Sequence, residues 1–331
     1  MFFCIFAAKS SPIESIMRKL YARIFVAALA FSPLGAAAQE TDIEAPEGYK
    51  LVFHDEFDLP DGSQPNPEIW SSSARRHSAW NRFIKDDPSV VYIEDGALVC
   101  RAVKNTDPSD DVDMITGARE TKDKFYFTYG IVEVRLKTIR HKGNFPAAWM
   151  MPQPPTETWP NAGEIDIFET IDNQQRAWHT VHTNWTYNMG NKGNSSYNEW
   201  MDVDDWHVYG LDWSEEEIQW TVDGEVVGHY EKSPNDYPLE CGQWPFTKPF
   251  YIILNQSVGM GTWAANPDLD FTYETRFDYV RVYQRDETGI RDVRNSKASC
   301  GDDVIYDLQG RSLMERPQQG VCIVNGKKVV G

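Results

Sequence analysis

The sequence predicts an all-β sandwich, and three observations carry that prediction. From about Gly48 onward, apolar and polar residues alternate with a period of two. Turn signals break the alternation every ten or so residues, and no long stretch with a 3.6-residue period occurs beyond the N-terminal segment. At 331 residues, 41% hydrophobic and 13% aromatic, the chain has ample material for one large β domain.

Residues 1–38 read as a secretory leader. From Met17, a second candidate start, Arg18, Lys19 and Arg23 give a basic beginning, Ile24 to Leu34 an apolar run, and Ala36-Ala37-Ala38 a small-residue cleavage site before Gln39. That run is too short to span a bilayer, and no Cys follows the cleavage site to carry a lipid. The expected location is secreted, periplasmic or at the cell surface.

The strands follow in residues 39–285. In "GIVEVRLKT" Val132, Val134 and Leu136 take one face while Glu133, Arg135 and Lys137 take the other. In "WHTVHTNW" Trp178, Thr180, His182 and Asn184 share a face. "IQWTVDGEVVGHY" reads as two strands joined at Asp223-Gly224, a strong hairpin signal. "FDYVRVYQ", Phe277 to Gln284, closes this domain. Residues 286–331 are a polar linker and a small β pattern. Its "YDLQGR" and "GVCIVNGKKVV" resemble the sorting tails of proteins exported by the type IX secretion route, and a plain β-hairpin appendage fits the same residues.

A formal charge of −18 and a pI near 4.8 exclude nucleic acid and anionic lipid as expected partners, because both call for clustered Lys and Arg. Twelve Trp and fifteen Tyr need not all be core: most are expected to be buried, and some to stack on the apolar face of a ligand. Cys100, Cys241, Cys300 and Cys322 are too scattered for a zinc site. An oxidising compartment would allow a Cys300–Cys322 disulfide, and two unrelated thiols fit as well.

"GEIDIFET", Gly163 to Thr170, crowds Glu164, Asp166 and Glu169 into a stretch that otherwise reads as a buried strand. On a regular strand Glu164 and Asp166 face one way and Ile165 and Ile167 the other. Glu169 has the wrong parity, and an unbroken strand would bury its charge at a cost of several kcal/mol. A single β-bulge near Ile167-Phe168 returns it to the acidic face. Three acids in a row suit glycoside hydrolysis, in which one carboxyl attacks or acts as base and another donates a proton. A third acid can keep their pKa values apart. Calcium binding and a plain solvated acidic strand are the rival readings, although calcium prefers a looped cage.

"GEIDIFE" resembles the E-x-D-x-x-E signature of family 16 glycoside hydrolases, in the bulged, laminarinase-like version. "LVFHDEFD" (51–58), "TGARETKDKFYFTYGIVEVRLK" (116–137), "NFPAAWMMP" (144–152), "PFYIILNQSVG" (249–259) and "FDYVRVYQ" (277–284) resemble further landmarks in family order. The resemblance implies a jelly-roll β-sandwich of two antiparallel sheets, an open concave groove and a retaining mechanism. It makes Glu164 the nucleophile, Asp166 the auxiliary acid and Glu169 the general acid/base, with His182 beside the acid/base. Trp149 and Trp159 match sugar-stacking tryptophans, and Trp80 and Arg82 a loop lining the donor side. Gln256 and Phe145 depart from the family pattern, and Gln256 is counted with the substrate-binding candidates. Catalysis needs no cofactor; Glu56 and Asp278 stand where a structural calcium is held in relatives. The expected partner is a polysaccharide or glycan, and the expected state a monomer. The implied activity is endo-hydrolysis of β-1,3- or mixed-linkage glucan. The alternatives are an endo-β-galactosidase acting on mucin-type O-glycans or red-algal galactans, and a non-catalytic lectin.

Overall fold

The computed structural model describes residues 43–154 and 157–286 and, in the tail, strand residues 305–306, 312–313, 321–324 and 327–330. The leader expected at 1–38, residues 287–304 of the expected linker and the Cys300 end of the expected disulfide lie outside the described residues.

Between Tyr49 and Arg285 the described residues form sixteen strands. They are β1 (Tyr49–Asp55), β2 (Ser71–Ser72), β3 (Val91–Glu94), β4 (Ala97–Lys104), β5 (Met114–Thr116), β6 (Ala118–Glu120), β7 (Gly130–Thr138) and β8 (Asn144–Pro152). Then come β9 (Glu164–Glu169), β10 (Arg176–His182), β11 (Ser196–Trp200), β12 (His207–Trp213), β13 (Glu217–Val222), β14 (Glu225–Glu231), β15 (Phe250–Val258) and β16 (Tyr273–Arg285). Helical structure among these residues is confined to a 3-10 turn at Ala79–Asn81, a π-helical turn at Asn184–Asn188 and a short helix at Asp236–Glu240.

The strands pair antiparallel in two sheets. One runs β14-β13-β12-β7-β16-β4-β3, with β1 also on β16 and β5 also on β4; the other runs β11-β10-β9-β8-β15-β6-β2. In the tail, β17 (Ile305–Tyr306), β18 (Ser312–Leu313), β19 (Val321–Val324) and β20 (Lys327–Val330) form a four-stranded sheet of their own.

The core lies between the two large sheets, as the alternation requires. Val132, Val134 and Leu136 of β7 are fully buried against Ile165, Ile167 and Phe168 of β9 and against Phe250, Ile252 and Leu254 of β15. The hairpin is where the sequence predicts it: Asp223 and Gly224 both take positive φ, 50° and 85°, as a two-residue type I′ turn demands. β10 ends earlier than the alternation suggests. Asn184 has left the strand for the π-helical turn, where its amide donates to the Cys241 carbonyl.

β15 is buried along its whole length, on both faces. Its inner residues enter the core, while Tyr251 and Ile253 pack with Ala147 and Trp149 on the outer face of the second sheet. That outer apolar layer becomes the floor of a cavity.

β9 carries the expected bulge. Against β10, Thr180 pairs with Asp166 and Trp178 with Glu169; against β8, Trp149 pairs with Asp166 and Ala148 with Phe168. One residue is therefore extra, and Glu169 returns to the face of Glu164 and Asp166. A bulge leaves backbone groups outside the regular ladder, and buried ones need other partners. The buried Trp220 indole N–H, from the opposite sheet, donates to the Asp166 carbonyl at 2.9 Å. His179 Nδ1, 2.6 Å from the Ile167 carbonyl, supplies the second donor. Burial lowers the His179 pKa to about 4, so the ring is neutral near pH 7 and its proton belongs on Nδ1, facing that oxygen.

His179→Phe keeps a ring in the core but removes that donor. The variant is expected to lose about 1–3 kcal/mol of unfolding free energy, measured by urea denaturation. A loss below about 0.5 kcal/mol would mean that the Ile167 carbonyl does not depend on His179.

Candidate active site

The acids enter the sheet through a constrained residue. Gly163 has φ 91°, and a side chain there would stand 2.9 Å from Pro245 Cγ and 3.1 Å from Phe246 Cε1. Only glycine meets both conditions without strain. From there Glu164 and Glu169 reach into a cavity of about 870 Å³ on the outer face of the second sheet, and Asp166 sits behind them, 5% exposed.

Each glutamate is held by an indole. Trp159 donates its ring N–H to Glu164 Oε2 at 2.8 Å, and Trp263 donates to Glu169 Oε1. His182 stands opposite Glu164 on β10, its Nε2 3.7 Å from Glu164 Oε1 and 3.4 Å from Asp166 Oδ2. Tyr187 packs edge-on against Trp159 and also faces His182. On the floor, Trp149 donates to Asn255 at 2.8 Å; Asn255 donates to Ser257, and Ser257 to the Trp80 carbonyl. The relay ends on the Trp80 backbone, and the Trp80 ring packs edge-on to Trp149, with centroids 4.7 Å apart.

Burial raises all three carboxyl pKa values. For Glu164 burial is the largest cause and the charge on Asp166 the next, bringing it up to about 8, while His182 and the Trp159 N–H pull the other way. Glu169 is raised by burial and by Asp166, against the Trp263 N–H; Asp166 is raised by burial. Three charges so close in a desolvated site repel, so the cluster holds its protons well above the usual carboxylate range. Charge on Glu164 and on Glu169 is supported in each case by an indole donor and by His182. Asp166, the most enclosed, is the natural place for a proton.

Several expected site residues stand elsewhere. His182 is beside Glu164 and Asp166 rather than beside the proposed acid/base, because the register pairs it with Glu164. Gln256 is fully buried between the sheets, bonded to Asn144, Thr275 and the Ser257 carbonyl, and does not line the cavity. Arg82 also leaves the cavity, turning to Asp111 at 3.8 Å. Trp149 is 5% exposed and serves as floor, whereas Trp159, 43% exposed, and Trp80 line the walls. Glu56 binds both ways to Arg281, at 3.0 and 2.7 Å, and Asp278 binds Arg135 at 2.5 Å. Guanidinium neighbours are wrong for a dication, so these two carboxylates do not fit a calcium site. Among the described residues, Glu164, Asp166 and His182 group closely enough to share a metal, and they belong to the acid cluster itself.

The sequence reading missed Trp263 and what holds it. Asp172, in the turn after β9, accepts the Gly143 N–H at 2.7 Å and the Ala265 N–H at 3.1 Å, tying the Trp263 loop to the end of β9. A Trp among glycines, "GMGTWAA", was the available signal. The polar segment after β10 reaches the cavity through Tyr187, Lys192 and Ser195. The segment before Arg119 instead supplies Asp107, Asp110 and Asp111 to Lys85, Arg75 and Arg82.

The family model described as glycosyl hydrolases family 16 matches residues 89–281. A keratan-sulfate endo-1,4-β-galactosidase of Sphingobacterium multivorum is 33% identical over 238 residues, 71% of this chain and 55% of that enzyme. The chain thus spans about half the length of that relative. A β-glucanase of Rhodothermus marinus is 31% identical over 252 residues, 71% of this chain and 85% of its own. A solved non-specific endo-β-1,3(4)-glucanase of family GH16 is similar with a TM-score of 0.64 at 30% identity, covering 74% of this chain and 94% of that one.

The raised carboxyls set a pH dependence of stability. A group whose pKa lies higher in the folded than in the unfolded chain stabilises below its unfolded value, near 4, and that contribution is lost as pH rises toward its folded value. Asp166→Asn removes one titrating charge. The variant is expected to gain thermal stability over the wild type at pH 8.5 and little at pH 4.5, read by calorimetry at both. Parallel Tm profiles for the two proteins would refute the buried-proton account.

Proposed function

The chain belongs to glycosyl hydrolase family 16, and from that premise we propose that it is a retaining endo-β-glycosidase acting on internal linkages of a polysaccharide. One observation carries the reading: two glutamates reach one aromatic-walled cavity from a single bulged strand, each held by an indole N–H, with a buried aspartate between them in sequence.

The residues support a two-step exchange. Glu164, as carboxylate, attacks the anomeric carbon while Glu169 gives its proton to the departing glycosidic oxygen. The old C–O bond breaks and an ester to Glu164 forms. Glu169, now charged, takes a proton from water as that water attacks the same carbon, and the ester cleaves to return both glutamates to their starting states. Asp166 keeps its proton through the cycle, so that only one negative charge at a time faces the sugar. Trp159 and Trp80 supply faces and edges against which pyranose rings pack. No cofactor enters these steps.

The substrate we favour is β-1,3- or mixed-linkage β-glucan, supported by the R. marinus relative and the endo-β-1,3(4)-glucanase structure. A galactose-containing glycan is the second reading, supported by the S. multivorum relative. The leader supports action outside the cytoplasm, and among the described residues no helix is long and apolar enough to cross a membrane.

Glu164→Gln is expected to reduce turnover by several orders of magnitude on laminarin, barley glucan or mucin glycans while preserving the circular dichroism spectrum. Activity within tenfold of wild type would exclude Glu164 as nucleophile. Proton NMR of the first product should show the β-anomer before mutarotation; an initial α-anomer would overturn the retaining mechanism. Glu169→Ala should be rescued by azide on a substrate with a good leaving group, giving a β-glycosyl azide.

A further inference from the structure

Beyond the cavity, the same sheet face carries a second set of groups suited to sugar. β10 pairs with β11 so that Arg176 lies opposite Trp200, Trp178 opposite Asn198 and Thr180 opposite Ser196. Trp178 and Thr180 pair across the other edge with Glu169 and Asp166. Directly paired residues share a face, so Trp200 is presented on the side of the acids.

Contacts run without a break between the two places. Trp263, which holds Glu169, meets Trp178 edge-on with centroids 5.5 Å apart. The Arg176 guanidinium lies 5.5 Å from the Trp178 ring and 4.2 Å from the Trp200 ring. Trp200 is 69% exposed, the highest among the large apolar side chains of the described residues. A lone exposed Trp needs no explanation, but this one is braced on one face by a cation and borders a hollow of about 350 Å³ lined by Arg140, Asn173, Gln174, Gln175 and Arg176.

The chemistry of that hollow is amide and indole. Gln174 accepts the Trp178 ring N–H at 3.1 Å, which occupies its amide oxygen and leaves its NH₂ group as a donor. Asn173 and Gln175 are exposed. Arg140 closes the far wall, anchored to Asp204 at 2.9 Å and Asp202 at 3.2 Å. A flat ring beside amides that both donate and accept matches a pyranose, which offers an apolar face and a rim of hydroxyls.

Building on the glycosidase reading, we propose that Trp200 and the Asn173–Gln175 amides form a distal glycan-binding site that holds a pyranose unit of the same polysaccharide chain whose cleavage occurs at Glu164 and Glu169. The aromatic run from Trp263 through Trp178 joins the two, so a long substrate engages both at once and gains effective concentration at the cavity. A short substrate fills the cavity alone. The site therefore governs preference for chain length.

The test compares Trp200→Ala, Trp200→Phe and wild type on a polysaccharide and on an oligosaccharide short enough to occupy only the cavity. Losing one stacking contact should raise KM on the polymer about tenfold, with kcat within twofold. On the oligosaccharide both constants should stay within twofold, and Trp200→Phe should restore most of the polymer KM. In parallel, affinity electrophoresis of Glu164→Gln through gels containing laminarin, barley glucan or mucin reads binding without cleavage. Retention there, lost when Trp200→Ala is added, supports the distal site even if the wild type hydrolyses none of the three, which would fail the substrate assignment alone. An unchanged polymer KM, an equal rise on both substrates, or no retention in any gel would overturn the proposal.

Discussion

The site depends on a mismatch between two periods. Strand side chains alternate every two residues, but Glu164 and Glu169 are separated by five, and only the bulge reconciles the two. Its two displaced carbonyls are met by donors of different origin: Trp220 from the opposite sheet and His179 from the adjoining strand. The chemistry on the outer face is thus anchored through the interior. Trp220 is fully buried within the main core, so packing between the sheets and the direction of Glu169 are parts of one arrangement.

Electrostatics then sets the terms on which the acids coexist. Burial favours their neutral forms, and each added charge makes the next harder to place. The indole N–H groups of Trp159 and Trp263 act in the other direction, at the two ends of the row. A folding optimum would replace at least one of these carboxyls with an amide. That the chain keeps all three is the local conflict with stability expected where chemistry is done.

Much of this was legible in the residues. Parity alone required the bulge and located it, because an isoleucine-rich strand cannot hide an unpaired carboxylate. Gln256 was also readable and was misread: it shares parity with the core residue Leu254, so the strand period assigns it inward whatever its polarity. Arg82 could not be assigned by the same means, since its direction is decided by Asp111 on another loop. Trp263 lies 94 residues from Glu169, and no local pattern links them. Its placement depends on Asp172 bonding two loops at once, a tertiary fact invisible to periodicity. Glu56 and Asp278 fail as calcium ligands for a comparable reason. Arg281 and Arg135 reach them from elsewhere in the first sheet.

The division of labour between strand and loop has a hereditary consequence. The acids belong to an interior strand, hydrogen-bonded along both edges. The walls are different: Tyr187 and Lys192 follow β10, Trp263 follows β15, and Trp80 precedes β3. Insertions or replacements in those connections leave the ladder of β9 and its bulge untouched, because loop exchange costs little while the scaffold holds. Descendants of such a fold can therefore vary their walls in small steps while the strand that carries the three acids keeps its register.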